Sequence, residues 1–249
     1  MRRVVALAAA GAVCALGALL DAQGRAGQTP APPRARTSAP IDLTGTWVSI
    51  VTEDWRWRMV TPARGDYQSV PINAEAKRVA DGWDPAKDTA TGEQCKAYGA
   101  AAIMRVPTRL RISWVDDSTL RVETDAGMQT RLLRFGTPPA PAGPPTWQGH
   151  SVAQWDTAGR GAPPKFGNLK VVTTRMRAGY LRKNGLPYSG NAVMTEWWDV
   201  HREPNGDQWL VVTSLIDDPA YLQLQYVTSP NFKKEPDNSK WDPTPCSAT

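Results

Sequence analysis

Apolar and polar side chains alternate with period two over most of the chain beyond residue 108, the mark of extended strands that bury one face. In 108–115, Leu110, Ile112 and Trp114 fall on one side while Arg109, Arg111 and Ser113 fall on the other. Asp116-Asp117-Ser118 turns the chain into Leu120-Arg121-Val122-Glu123, and Asp125-Ala126-Gly127 turns it again into 128–135, which makes a three-stranded meander. The same pattern predicts strands over 45–51, 148–156, 169–177, 192–202 and 209–217, with Glu203-Pro204-Asn205-Gly206-Asp207 turning between the last two. About eight antiparallel strands must close or stack, because open edges invite aggregation. The expected fold class is therefore mainly β: an antiparallel meander closing into a barrel, with one or two short helices.

The first helix has clear signals: Asn73 to cap it, Glu75 in its first turn, Ala76, Val79, Ala80 and Trp83 on an apolar face, and Gly82 to end it. A second, shorter one fits 93–104, and the two suit a cover over one barrel end. The Pro-rich stretches 137–145 and 159–164 read as surface loops within one domain.

The N-terminus follows another logic. Met1-Arg2-Arg3, an apolar stretch of Ala, Val, Leu and Gly over 4–20, and Asp21-Ala22 match a cleavable secretory leader over residues 1–22. The apolar run falls short of the roughly 20 residues that span a bilayer. Cys14 lies in mid-run behind Val13, which argues against lipidation. A Pro/Ala/Arg-rich segment over 23–40 reads as a disordered tether, leaving 41–249 as a single barrel domain. The expected compartment is periplasmic or secreted, with no membrane association after cleavage.

Of three cysteines only Cys95 and Cys246 survive processing, and an even pair in an oxidising compartment predicts a disulfide that pins the C-terminus. The precursor carries a net charge of +5, and losing the net +1 of Arg2, Arg3 and Asp21 leaves +4. The arginines are scattered rather than striped, so nucleic acid is not an expected partner.

Gly45-Thr46-Trp47 opens the first strand and resembles the Gly-x-Trp of the lipocalins and wider calycins, in which the Trp closes the barrel base. A second resemblance rests on Gly149-His150-Ser151, on Arg182-Lys183-Asn184-Gly185-Leu186-Pro187-Tyr188-Ser189, on Thr195-Glu196 and on Asp217-Asp218-Pro219-Ala220-Tyr221. Together these look like a large group of secreted proteins from environmental bacteria, over roughly 41–236. That resemblance implies secretion and fold rather than a mechanism. Many members of the group carry His where this chain has Tyr188.

Candidate chemistry gathers at the same positions. Glu196 shares a strand face with Ala192, Met194 and Trp198, so alternation sets a carboxylate among apolar neighbours, a setting suited to acid–base work. His150 is one of two histidines and lies mid-strand. Arg182 and Asn184 sit in a polar turn suited to gripping a carboxylate or carbonyl, and Asp217 begins a turn sequence. Each has a structural counter-reading: a satisfied core His, a Glu paired with Arg175, Arg177 or Arg202, an Asp serving a turn. Eleven tryptophans against three phenylalanines suit either packing or the enclosure of an aromatic ligand. Trp55, Trp57, Trp197 and Trp198 are the candidates, and Trp197 and Trp198, being adjacent on a strand, must face opposite ways.

Nucleophile-elbow, phosphate-loop and dinucleotide motifs are missing, and two histidines are too few for a closed zinc site. No cofactor is expected, and a one- or two-His metal site with Glu196 or Asp217 is the alternative left open. Three functions fit: a barrel whose aromatic-rich lumen binds a small cyclic or aromatic molecule, with Trp55, Trp57, Asn184, Tyr188, Trp197 and Trp198 as contacts; a cofactor-independent lyase, isomerase or hydrolase in which His150 or Glu196 moves a proton with Arg182 and Asp217 assisting; or a carbohydrate-binding module.

Overall fold

The period-two segments fold as strands and curl into one closed sheet. The computed structural model describes residues 34–158 and 166–249, so the expected leader, most of the tether and the 159–164 loop lie outside the described residues. In chain order come β1 (Gly45–Ile50), α1 (Trp55–Arg58), α2 (Ala74–Asp81), α3 (Pro85–Ala90), a 3-10 turn (Lys96–Tyr98), α4 (Ala100–Ile103), β2 (Arg109–Asp116), β3 (Thr119–Thr124), β4 (Thr130–Phe135), β5 (His150–Ala158) and β6 (Phe166–Thr174). A hairpin of β7 (Gly179–Arg182) and β8 (Leu186–Tyr188) precedes β9 (Val193–Arg202), β10 (Gln208–Asp217), β11 (Tyr226–Thr228) and β12 (Asn231–Glu235).

The barrel has nine strands, in the order β10, β12, β1, β2, β3, β4, β5, β6, β9, and closes by pairing β9 back onto β10 from Gln208↔Arg202 to Asp217↔Val193. β11 pairs with the later half of β10 and β12 with its earlier half. The break falls at Ser229-Pro230, where proline has no N–H for the ladder. The mainly β closed barrel is as expected, and two details differ. β4 and β5 run parallel: the Pro-rich 136–149 connection returns along the barrel instead of turning tightly. Four short helices stand where one or two were expected, since α1 and α3 are too short to show an apolar period.

Alternation sends Trp47, Leu110, Leu133, Leu169, Trp198, Leu210 and Phe232 inward, and none has measurable exposure. A side chain closed to a water-sized probe borders no void that holds water, so this part of the lumen is packed core rather than a ligand chamber. In that part the large rings fill the space themselves, so the ligand expected in the lumen finds no room there. At the base, Trp114, Phe135 and Trp155 stack with centroids 5.6 and 5.2 Å apart, and Trp47 Nε1 donates to the Leu43 carbonyl at 2.9 Å. The last residues of the expected tether dock there too. Trp155 Nε1 donates to the Ala35 carbonyl at 2.7 Å and the Arg36 amide to that of Asp117 at 3.0 Å.

The helices and the β7–β8 hairpin cover the opposite end. Asn73 caps α2 as expected, accepting from the Ala76 amide at 2.9 Å, whereas Trp83 falls beyond the end of the helix. The helix expected over 93–104 is interrupted at the extended Gly99, where a Cβ would meet the Tyr188 hydroxyl at 2.3 Å. Ala80, Ala101, Leu181, Leu186 and Tyr188 of this cap pack on Met194 and Ile216 from the barrel mouth as a second apolar cluster. A Cys95–Cys246 disulfide, Cα atoms 5.1 Å apart, ties the cap to the C-terminal tail. Residues Arg34–Thr249 form one compact unit. No helix among the described residues is long and apolar enough to cross a membrane.

Candidate functional site

The sequence candidates scatter. Glu196 lies between the two apolar clusters, wholly buried, and gives both carboxylate oxygens to Arg131 of β4: Nη2 to Oε2 at 2.6 Å and Nη1 to Oε1 at 3.1 Å. β5 and β6 intervene between the two strands, so this pair crosses the barrel interior. Arg131 Nη2 also approaches Thr173 Oγ1 at 3.5 Å, and Thr173 bonds Ser151. His150 is buried, but it alternates with the inward-facing Ser151 and so projects from the opposite face of the sheet to Glu196. Its Nδ1 finds no partner among the described residues. The expected acid–base pair is not assembled.

Asp217 is exposed at the end of β10, and the neighbouring Asp218 is the buried one, accepting from Ser189 N and Oγ, both at 2.7 Å. Asn184 is fully buried and structural in its contacts: Nδ2 donates to the Ala63 and Asp66 carbonyls at 3.1 and 3.0 Å, fastening the loop after α1 to the β7–β8 turn. Tyr188 is core, and burial pushes its phenol well above the ordinary range. Trp198 points inward and Trp197 outward, the latter under Lys170. Trp55 is solvent-exposed on α1. No grouping of three or more His, Cys, Asp or Glu close enough to hold a metal ion occurs among the described residues.

Two candidates do meet, in the cap. A cavity of about 400 Å³ opens between the loop following α1, the residues after α4, β7 and the C-terminal tail. Trp57 and Arg182 line it together with Arg58, Arg105 and Lys183; Tyr98, Val106 and Leu181 supply apolar wall. The Arg182 guanidinium lies over the Trp57 ring, 5.0 Å from its centroid, and Trp57 Nε1 is held by Asp66 Oδ1 at 3.0 Å. A ring fixed from behind and a cation laid on its face make a preorganised wall.

The four cations differ in how they are satisfied. Arg58 pairs with Glu53 and donates Nη2 to Ser49 Oγ at 3.1 Å and Nε to the Arg105 carbonyl at 2.8 Å. Arg105 donates Nη2 to Asp54 Oδ2 at 2.9 Å, and Asp54 holds a left-handed backbone (φ 50°) just ahead of α1. Lys183 Nζ donates to the Thr249 carbonyl at 3.3 Å. Arg182 is 4% exposed, yet Nε, Nη1 and Nη2 all lack a hydrogen-bond partner among the described residues. Burial lowers its pKa; the nearby Tyr226 opposes that and the charge on Arg105 adds to it. The Tyr226 hydroxyl is close enough to bear on that charge without making a hydrogen bond of good geometry.

Comparison with protein-family models, curated proteins and solved structures gives no match. The site is therefore read from its own geometry.

Sequence reasoning missed Arg58, Arg105 and Tyr226. The alternation Trp55-Arg56-Trp57-Arg58 was a usable signal for the first, because aromatic and guanidinium groups in register stack readily. Arg105 and Tyr226 carried none, being brought in by chain reversals far along the sequence.

Proposed function

We propose that this chain is a secreted or periplasmic, calycin-like small-molecule-binding protein whose ligand occupies the cap cavity, the packed barrel serving as a rigid base for it. The observation that carries the reading is the cavity itself. Its volume of about 400 Å³ lies in the range of small-molecule sites, and it combines apolar wall with a few convergent polar groups. The Trp57 ring suits a cyclic or aromatic ligand body. The Cys95–Cys246 disulfide accords with an oxidising compartment. Likeness to the secreted bacterial group points to the same compartment.

The acid–base enzyme reading is weaker, since both Glu196 oxygens are committed to Arg131. So is the carbohydrate module, since Trp197, Trp209 and Trp241 each lie beneath a lysine or arginine.

A thermal-shift and native mass-spectrometry screen of small cyclic and aromatic compounds tests the proposal on the wild-type protein and on Thr61→Trp, which fills the cavity from a half-buried wall position. A true ligand at 100 times its Kd raises Tm by about 5–10 °C, and Thr61→Trp abolishes the shift. A screen without hits, or hits indifferent to Thr61→Trp, overturns the reading.

A further inference from the structure

Four arginines among the described residues are buried, Arg58, Arg105, Arg131 and Arg182, and the last is treated differently from the others. Arg131 in the barrel meets Glu196 in a two-point ion pair. Arg182 in the cap meets no carboxylate among the described residues, and no Asp or Glu stands in the cavity wall it shares. A buried, unpaired charge is among the costliest arrangements a fold contains. A fork of N–H donors in fixed geometry matches an oxyanion that accepts two parallel hydrogen bonds, and a carboxylate shares the plane of the guanidinium.

Charge count narrows the class. Glu53 and Asp54 neutralise Arg58 and Arg105, and Lys183 is turned to the Thr249 carbonyl. Lys183 and Arg182 meet no side-chain carboxylate among the described residues, so positive charge is left uncompensated at the wall, which calls for an acidic ligand. Beyond that point the wall is apolar, built from Tyr98, Val106 and Leu181.

We infer that the cap cavity takes an organic acid, its carboxylate gripped by Arg182 as that side chain turns from the Trp57 ring toward the cavity, and its apolar body laid against Tyr98, Val106 and Leu181. This rests on the proposed binding role of the cavity and names the ligand class for it. Arg182 is the specificity-determining residue: neutral molecules of the same shape leave its donors unpaired and bind more weakly.

The test uses aromatic and medium-chain carboxylates, each beside its own primary amide, with calorimetry on the intact disulfide-bonded protein. Benzoate, 2-naphthoate, indole-3-acetate and decanoate are the probes. On the unaltered protein, at least one carboxylate is expected to bind 10-fold or more tightly than its amide. Arg182→Gln is expected to weaken that carboxylate by about 10- to 100-fold while leaving the amide within about 2-fold. Arg182→Lys restores part of the loss.

If amides bind as well as acids, or Arg182→Gln leaves the acid unaffected, the anion assignment is wrong and the cavity reading survives. If neither acids nor amides bind, both fail together. The acid-to-amide comparison needs no substitution, so it decides the matter even if Arg182→Gln does not fold.

Discussion

Glu196 and Arg182 are both buried and ionisable, and their surroundings give them opposite roles. Glu196 has its counter-charge inside the chain, in Arg131, and so belongs to the architecture. Removing one partner of such a pair strands the other without water. Glu196→Leu is therefore expected to cost about 3–5 kcal/mol, read as a lowered urea midpoint. The double variant Arg131→Met/Glu196→Leu is expected to recover most of that loss, because two packed apolar side chains replace two desolvated charges. A double variant as unstable as the single would show that the layer is held by shape rather than by charge.

At the scale of elements, the β7–β8 hairpin places Arg182. Its turn depends on Gly185, whose φ of +81° is unfavourable for any side chain and whose Cβ would meet Trp83 at 2.3 Å. Gly206, in the turn between β9 and β10, has a similar φ of +89° but open space around it. Gly206→Ala carries only the backbone cost of about 1–3 kcal/mol, whereas Gly185→Ala adds the collision with Trp83. The Tm of Gly185→Ala is accordingly expected to fall further than that of Gly206→Ala, by scanning calorimetry. Equal losses would mean that the hairpin shifts off Trp83 without penalty. Asn184, beside that glycine, ties the loop after α1 to the same turn, so one hairpin sets both walls of the cavity.

Across the whole molecule, the Cys95–Cys246 bridge closes a loop of 151 residues. The tail it anchors also pairs with the β3–β4 turn, the Thr244 amide donating to the Asp125 carbonyl at 2.9 Å, and Thr244 and Thr249 line the cavity. A cross-link over so long a loop contributes about 5 kcal/mol in the chain-entropy view. Cys95→Ser/Cys246→Ser is expected to lower Tm by about 10–20 °C. Calorimetric titration of a carboxylate that binds the wild-type cavity is expected to show weakened binding as well, since the tail is part of its wall. A double variant with unchanged Tm would show that apolar packing alone holds the tail.

The strands were legible because alternation is a local property. Leu110, Ile112 and Trp114 need only a buried face, and any closed sheet provides one. The α2 cap was legible for the same reason, since Asn73 reaches an amide three residues away. The pair of cysteines outside the expected leader needed only counting. What tertiary structure alone decided was which long-range partner each polar group met. Glu196 met Arg131 across the barrel instead of a neighbouring-strand arginine, His150 faced away from it, and Arg182 met the Trp57 ring and no carboxylate. Those outcomes depend on β4 running parallel to β5 and on a cap assembled from four separated stretches of chain. An ion pair is worth several kcal/mol only where water is excluded, and exclusion is a property of the closed fold.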